Sequence, residues 1–275
     1  MDSKYTVRTL ALEIVAIALG LLFLVPFYFV LINSVKGNAN ILLDAASLPE
    51  EVIFKNFGRV WELLDFPKAF LNSLLVTVFS TAGLVVISSM AAWMLVRTPG
   101  KLSQILFGLF VAAMVIPFQT VMIPLVKLSA SLGLVNSIPG LVFIYFGFGV
   151  SMTLFLYHGF IKSVPKEVEE SASIDGCNPF GIFWRMVFPL LKPITVTVVI
   201  LNTLWIWNDY LLPRLMLQEA ELRTIPVAMS ALFAQYNKQW DLGLSGLVIG
   251  TLPIVVFFLL LQKHIIKGIA AGSVK

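Results

Sequence analysis

Charged residues are scarce in this chain of 275 residues and make up only 12% of it. Soluble domains carry about 25% charged residues, so the composition excludes an ordinary soluble protein. Cysteine is almost absent as well, and the single Cys177 excludes an internal disulfide. The two histidines, His158 and His264, are far apart in the sequence and predict no metal site.

Motifs for chemistry are also missing. The chain has no GxxxxGK[ST] phosphate-binding loop, which excludes ATP binding by that route. Neither Cys177 nor any serine suggests a nucleophile paired with a base, so we predict no catalytic residue, no cofactor and no metal. The formal net charge is +4, but the basic residues are scattered between apolar segments, which argues against nucleic acid as a partner. If the chain transports a solute, the energy must come from a partner ATPase or from an ion gradient.

Long apolar segments are what the chain has in abundance, with 59% hydrophobic residues. A spanning helix needs about 20 apolar residues, and an open strand edge in lipid would leave backbone groups unpaired. We therefore predict an all-α polytopic membrane protein with lipid as its surroundings, one transmembrane domain over residues 1–275 with six spanning helices. The predicted spans are 14–33, 72–96, 105–125, 138–161, 194–215 and 244–261.

Basic residues beside the spans predict the orientation. The short segment 97–103 carries Arg97 and Lys101, whereas the short segment 129–137 has no charge. Since cytoplasmic loops carry an excess of Lys and Arg, the first segment is expected inside and the second outside. Both termini and the segment 163–193 are then expected in the cytoplasm.

The outer segment 34–71 predicts a short helix. Asn56 is a candidate cap for it, with Val60, Trp61 and Leu64 on one side. Two interpretations stay open, an interfacial helix with Trp61 at headgroup level and a landing surface for an external partner.

The segment 163–193 concentrates charge between two apolar runs and predicts two short helices joined by a bend. Ser163 is a candidate cap for the first helix, and Gly176 after Asp175 is expected to end it in the left-handed conformation. Acidic residues favoured by the helix dipole stand near its start. They are Glu167, Glu169 and Glu170.

The second helix of the segment is expected to be capped by Asn178 and to begin at Pro179. One face of this helix is apolar. It carries Phe180, Phe183, Trp184 and Val187. A bent, half-apolar helix pair projecting from a membrane domain suits docking into a groove of another protein.

The same segment carries a family resemblance. The run Glu170-Ser171-Ala172, followed by Gly176 and Pro189, resembles the EAA loop of bacterial ABC importer permeases. That family's pattern is Glu-Ala-Ala, three residues and Gly, then a stretch that ends in an apolar residue and Leu-Pro. Here Ser171 replaces the second residue, and a phenylalanine stands where Leu is usual. In the family this loop is the cytoplasmic coupling helix, which receives force from a separate ATPase subunit.

The resemblance implies the six-helix permease fold and assigns docking roles to single residues. Glu170 would be a charged contact, Ala172 a small surface that allows close approach, and Gly176 the bend. The full implied set of ATPase-docking residues is Glu167, Glu170, Ser171, Ala172, Asp175 and Gly176.

Two further stretches extend the resemblance. WNDYLLP at 207–213 looks like the family's pattern for span five, and QKHIIKGIAAGSVK at 262–275 resembles the C-terminal end of carbohydrate-importer permeases. The chain thus resembles the second permease subunit of maltose-type sugar importers. The implied partners are a homologous permease subunit, two ATP-binding cassette ATPase subunits and an external solute-binding protein. The implied location is the bacterial cytoplasmic (inner) membrane.

Polar side chains within the predicted spans are candidates for the solute pathway, since an ionisable group in a span is by default a functional hypothesis. Gln119 lies between Pro117 and Pro124, which predict a bend serving either packing or a pathway. Asp209 lies near the outer end of its span, where an interfacial role is equally open. The candidates are Gln119, Asn202, Asn208 and Asp209.

Three alternatives stay open at this point. The solute could be something other than a sugar, such as glycerol phosphate. An ion-coupled secondary transporter would need paired ionisable groups in the membrane and usually two related halves, whereas the sequence offers Asp209 and no internal repeat. A non-transporting scaffold is opposed only by the polar and proline-rich spans.

Overall fold

All of the regular structure in the described part of the chain is helical. The computed structural model describes residues 7–233 and 239–273, with side chains for 9–233 and 239–260. The extreme termini, predicted to face the cytoplasm, lie outside the described residues. The α-helices are α1 (Val7–Ser34), α2 (Asn38–Leu43), α3 (Lys55–Leu63), α4 (Phe66–Arg97), α5 (Lys101–Ala113), α6 (Phe118–Ser131), α7 (Ile138–Ile161), α8 (Glu167–Ile174), α9 (Pro179–Ile182), α10 (Phe188–Leu190), α11 (Lys192–Asn208), α12 (Leu211–Met216), α13 (Ile225–Phe233) and α14 (Trp240–Ser273).

Among the described residues, four helices are long and apolar enough to cross a membrane: Thr9–Ser34 within α1, all of α4, all of α7, and Trp240–Leu260 within α14. Two bent helix pairs raise the number of crossings to six if each pair counts as one span. They are α5 with α6, and Pro179–Leu190 with α11. The predicted all-α polytopic class is confirmed, while the limits of the individual spans stay predictions.

The third predicted span, 105–125, is a broken helix. Helix α5 ends at Ala113, α6 begins at Phe118, and the two are bent by 100°. Pro117 stands just before α6 with extended backbone, at φ −65° and ψ 138°. Because proline lacks an N–H and disfavours helical backbone in the residue before it, α5 does not continue through this point.

Close contact between α4 and α7 depends on glycine. A Cβ atom on Gly83 of α4 would lie 2.3 Å from the ring of Phe146 in α7. A Cβ atom on Gly149 of α7 would lie 2.5 Å from Leu84 Cδ1 in α4. Helices in membranes associate through tight packing, and small residues allow their backbones to approach. These glycines therefore let α4 and α7 form the close-packed scaffold to which the segment 163–193 attaches.

The chain forms two compact units, Met1–Phe66 with Ala228–Pro253, and Pro67–Val227 with Ile254–Lys275. The second unit contains the segment 163–193 and all of the predicted pathway residues. The single permease domain over 1–275 stays a prediction.

Helix α3, in the first unit, does not begin as predicted. It starts at Lys55, so Asn56 lies inside the helix, where it is buried. Its Nδ2 donates to the backbone oxygens of Ser34 at 3.3 Å and Lys36 at 2.9 Å. The predicted cap is wrong, because this amide is needed to tie α3 to the end of α1. Trp61 is exposed, as both interpretations of this helix require.

Candidate coupling interface

The start of the arm (residues 163–193) differs from its prediction. The Ser163 hydroxyl donates to the backbone oxygen of Phe160 at 2.7 Å, back into the turn that ends α7. Helix α8 begins only at Glu167, after Lys166, and has no side-chain cap. The predicted Ser163 cap is wrong because the residue lies too far before the helix to reach its first N–H groups.

The end of α8 is built as the sequence predicts. Gly176 has φ +82°, in the left-handed region that glycine adopts without strain. The N–H of Cys177 donates to Ala172 O at 3.0 Å, and the N–H of Gly176 donates to Ser173 O at 3.1 Å. This pair of bonds is a Schellman motif, which satisfies the last carbonyls of the helix and turns the chain sharply.

The second helix of the arm also starts as predicted. Asn178 has extended backbone, its Oδ1 accepts from the N–H of Gly181 at 2.7 Å, and Pro179 is the first helical residue. From Phe183 to Val187 the helix widens into a π-helical turn before α10. The whole stretch Pro179–Leu190 then meets α11 at a bend of 79°.

One side of the arm packs into the chain's own core. Ala172 is only 4% exposed and belongs to the same buried cluster as Trp93 of α4 and Tyr157 of α7. Phe183 is fully buried, and its ring centroid lies 5.4 Å from that of Trp93. The arm is therefore anchored to α4 and α7. The small side chain of Ala172 allows close packing within this chain, and little of it is accessible to the predicted partner.

The other side of the arm is exposed. The exposed set includes every remaining residue predicted to dock, namely Glu167, Glu170, Ser171, Asp175 and Gly176. Large apolar side chains lie among them, with Ile174 87% exposed and Phe180 64% exposed. Sequence reasoning gave no role to Ile174 and placed Phe180 on the apolar face. A surface that combines exposed carboxylates with protruding apolar groups has the composition of a protein-binding site.

Sequence reasoning did not predict the contacts of Glu169, which lies on the side of the arm that packs against α4. Its Oε1 accepts from Arg97 Nε at 2.8 Å and pairs with Arg97 Nη2 at 2.7 Å, while its Oε2 accepts from Trp93 Nε1 at 2.9 Å. Arg97 Nη2 also donates to Val164 O at 2.9 Å. No local signal identified these contacts, because the partners of Glu169 lie more than 70 residues away along the chain.

The predicted pathway residues of α11 have different surroundings. Asn202 is buried, and its Nδ2 donates to Thr153 Oγ1 of α7 at 3.1 Å and to Val198 O at 2.9 Å. Asn208 is exposed at the end of α11, and its Nδ2 donates to Leu204 O at 2.7 Å. Asn202 therefore links two helices, whereas Asn208 bonds within its own helix and is exposed.

Asp209 occupies the break between α11 and α12. Its Oδ2 accepts from the hydroxyl of the fully buried Tyr145 at 2.9 Å, and its Oδ1 accepts from the N–H of Leu211 at 3.0 Å. Both oxygens thus serve the chain's own structure. Gln119 is exposed in the first turn of α6, directly after the break at Pro117.

A sequence model of the family described as "Binding-protein-dependent transport system inner membrane component" matches residues 83–271, which include the whole arm. The chain belongs to this family. Members that resemble it over their full length include the "Probable starch degradation products transport system permease protein AmyC" of Thermoanaerobacterium thermosulfurigenes, which is 43% identical over 99% of both chains. The "Melibiose/raffinose/stachyose import permease protein MelC" of Bacillus subtilis (strain 168) is 38% identical over 91% of both chains.

A solved structure gives the same family fold. A chain in the "Crystal structure of a bacterial ABC transporter involved in the import of the acidic polysaccharide alginate" aligns with a TM-score of 0.77 and 22% identity. The alignment covers 94% of this chain and 98% of the other. This confirms the ABC importer permease fold that the EAA-like run implied.

Proposed function

We propose that this chain is a permease subunit that translocates a sugar or oligosaccharide in an ATP-driven importer. The observation that carries the proposal is the arm, which is anchored to α4 and α7 on one side and offers exposed carboxylates and apolar groups on the other. Such an element suits the transfer of force from a separate protein. The full-length relatives named for starch degradation products and for raffinose-type sugars support a carbohydrate as the solute.

The proposed complex contains a homologous permease subunit, two ATPase subunits and an external solute-binding protein. The sequence has no phosphate-binding loop of its own, so ATP hydrolysis is assigned to the separate ATPase subunits. The family's own description, a component of binding-protein-dependent transport, supports the external binding protein. The chain itself would be non-catalytic.

In the proposed docking surface, Glu170 supplies a charged contact and Ile174 and Phe180 supply apolar anchors. Buried apolar anchors contribute most of the binding energy at protein interfaces, and charges around them favour correct orientation. Glu167, Ser171 and Asp175 flank these groups on the exposed side, and Gly176 sets the bend. Closure of the ATPases would then move α8 and favour one of two states of the spans, by binding one state more tightly.

The proposed orientation places the arm and both termini in the cytoplasm. It is supported by Arg97 at the end of α4 and Lys101 at the start of α5, and by the uncharged segment between α6 and α7. For the solute pathway, Gln119 and Asn208 are the candidates whose side chains are exposed. Asn202 and Asp209 are retained as candidates of lower rank, because their polar groups already bind this chain.

The test is transport by the assembled complex in liposomes, with maltotriose, raffinose and glycerol 3-phosphate as separate solutes. We expect ATP-dependent uptake of an oligosaccharide that requires the binding protein. Uptake of glycerol 3-phosphate alone would overturn the carbohydrate assignment. Uptake driven by an ion gradient without the ATPases would overturn the proposed mechanism.

A further inference from the structure

The two adjacent glutamates of α8 have opposite surroundings. Glu169 is turned inward, and its side chain and that of Arg97 are each only 12% exposed. Glu170 is exposed. Because Glu169 is occupied by groups of its own chain, it is not available to a docking partner. The inward carboxylate therefore needs an explanation separate from ATPase binding.

The contacts of Glu169 make a two-sided joint. One carboxylate oxygen is held by the Arg97 guanidinium and the other by the indole N–H of Trp93. Trp93 and Arg97 are four residues apart on α4, so they lie on one face of its last turns. The same guanidinium binds the backbone of Val164, at the exit from α7. A charged group fixed at both oxygens resists rotation as well as separation.

This joint acts on an element that is weak by itself. Helix α8 has 8 residues, and an isolated helix of that length is marginal in water. Glu169 of α8 bonds to Trp93 and Arg97 of α4, and one turn later Ala172 of α8 packs in the core. Helix α4 has 32 residues, and a helix is a rigid element along its length. The joint is therefore the polar link that passes a displacement of α8 to α4, beside the apolar packing of Ala172 and Phe183 against Trp93.

We propose that Glu169, held by Arg97 and Trp93, is the positioning residue that couples movement of the arm to helix α4. The inference rests on the proposed function, in which an ATPase moves α8. Unlike a defect in docking, a broken joint impairs the transmission of movement within this chain, after the ATPase has bound. Loss of the joint then lowers solute uptake per ATP hydrolysed without releasing the ATPase.

The test measures uptake of maltotriose per ATP hydrolysed and retention of the ATPase subunits, in the complete reconstituted transporter. We expect Glu169→Gln to retain the ATPases and to lower uptake per ATP about 2- to 30-fold, the range found for residues that carry coupling between sites. The matched control is Glu221→Gln, which makes the same chemical change in an exposed ion pair with Lys68. We expect the control to behave as the unmodified chain does.

Two further variants keep the test decisive. Trp93→Phe preserves an aromatic ring and removes one hydrogen bond, so we expect normal abundance and a smaller loss of uptake per ATP. Adding Arg97→Gln to Glu169→Gln should cost little more than either change alone, because both break one joint.

Three results would overturn the proposal. The first is loss of bound ATPase in Glu169→Gln to the extent seen in Glu170→Lys, which would place Glu169 in the docking surface. The second is uptake per ATP in Trp93→Phe equal to that of the Glu221→Gln control. The third is full additivity of the Arg97 and Glu169 changes. Failure of the docking function itself would be seen separately, as normal uptake by Glu170→Lys.

Discussion

The exposed carboxylates of the arm and the carboxylate of Asp209, at the break between α11 and α12, have different surroundings. On the arm, Glu167, Glu170 and Asp175 are exposed. At the break, Asp209 has both oxygens engaged, by the Tyr145 hydroxyl and by the N–H of Leu211. The exposed carboxylates of the arm are accessible to a partner, whereas the carboxylate of Asp209 stabilises contacts within this chain.

The largest expected effect comes from reversing a charge on the exposed side. Glu170→Lys places a like charge opposite any basic group that Glu170 contacts, and we expect ATPase binding to weaken about 30-fold or more. Protein abundance in the membrane should not change, because Glu170 is exposed. Co-purification of the ATPase subunits measures the effect. Normal co-purification and uptake would erase the distinction between the two kinds of carboxylate.

A smaller effect is expected from the bend that orients the exposed side. Gly176→Val forces a β-branched residue into φ +82°, at a cost of about 1–3 kcal/mol. We expect reduced co-purification of the ATPases, since Ile174 on α8 and Phe180 on α9 lose their relative placement. The matched control is Gly108→Val, because Gly108 lies within α5 and an added Cβ would meet nothing within 4 Å. Equal behaviour of the two variants would mean that the bend does not matter for docking.

Changes at the break between α11 and α12 should sharpen the contrast. Asp209→Ala removes the acceptors for Tyr145 and Leu211, and we expect a stability loss of about 1–3 kcal/mol with an unchanged KM for the solute. Asn208→Ala should instead raise KM and leave the melting temperature of the complex unchanged. For both variants, thermal unfolding measures stability and uptake kinetics measure KM. A higher KM with normal stability in Asp209→Ala would restore Asp209 to the pathway.

The smallest expected effect concerns Asp44, another carboxylate engaged by its own chain. Its Oδ1 accepts from the N–H groups of Ala46 at 2.9 Å and Ser47 at 3.2 Å, and these bonds hold the pKa of Asp44 below its ordinary value of 3.8. Because the pKa of Asp44 is lower in the folded state, the ionised carboxylate stabilises the fold at pH values above its ordinary pKa. This stabilisation is lost as the pH falls through the folded-state pKa.

Thermal unfolding of the purified complex between about pH 5 and pH 3 tests this effect. We expect a slightly steeper loss of stability for the unmodified chain than for Asp44→Ala. Identical pH dependence would mean that the turn contributes nothing measurable.

The sequence was most informative where structure is determined by adjacent residues. Gly176 as the end of α8, and Asn178 with Pro179 as the start of α9, are cap patterns, and the structure confirms them. The apolar runs likewise predicted the all-α polytopic class. Ser163 fitted a cap pattern but bonds backward to Phe160, because the chain makes one more turn before α8 begins.

Contacts between distant segments were not predictable in the same way. Glu169 meets Trp93 and Arg97 across more than 70 residues of chain, and nothing local distinguishes it from Glu170. The engagement of Asp209 by Tyr145 depends in the same way on how α7 packs against α11. The bend of 100° at Pro117 shows a third limit, since proline predicts a break but not its angle.

The most direct test of the account is a photo-crosslinking residue at Ile174, the arm's most exposed large apolar side chain, used in intact membranes that contain the whole transporter. The same probe at Glu221, on an exposed ion pair, serves as the control. The account predicts that the probe at 174 captures an ATPase subunit and that the probe at 221 does not. Capture of no ATPase at 174, or labelling of 174 by a reagent confined to the outer side of the membrane, would contradict it.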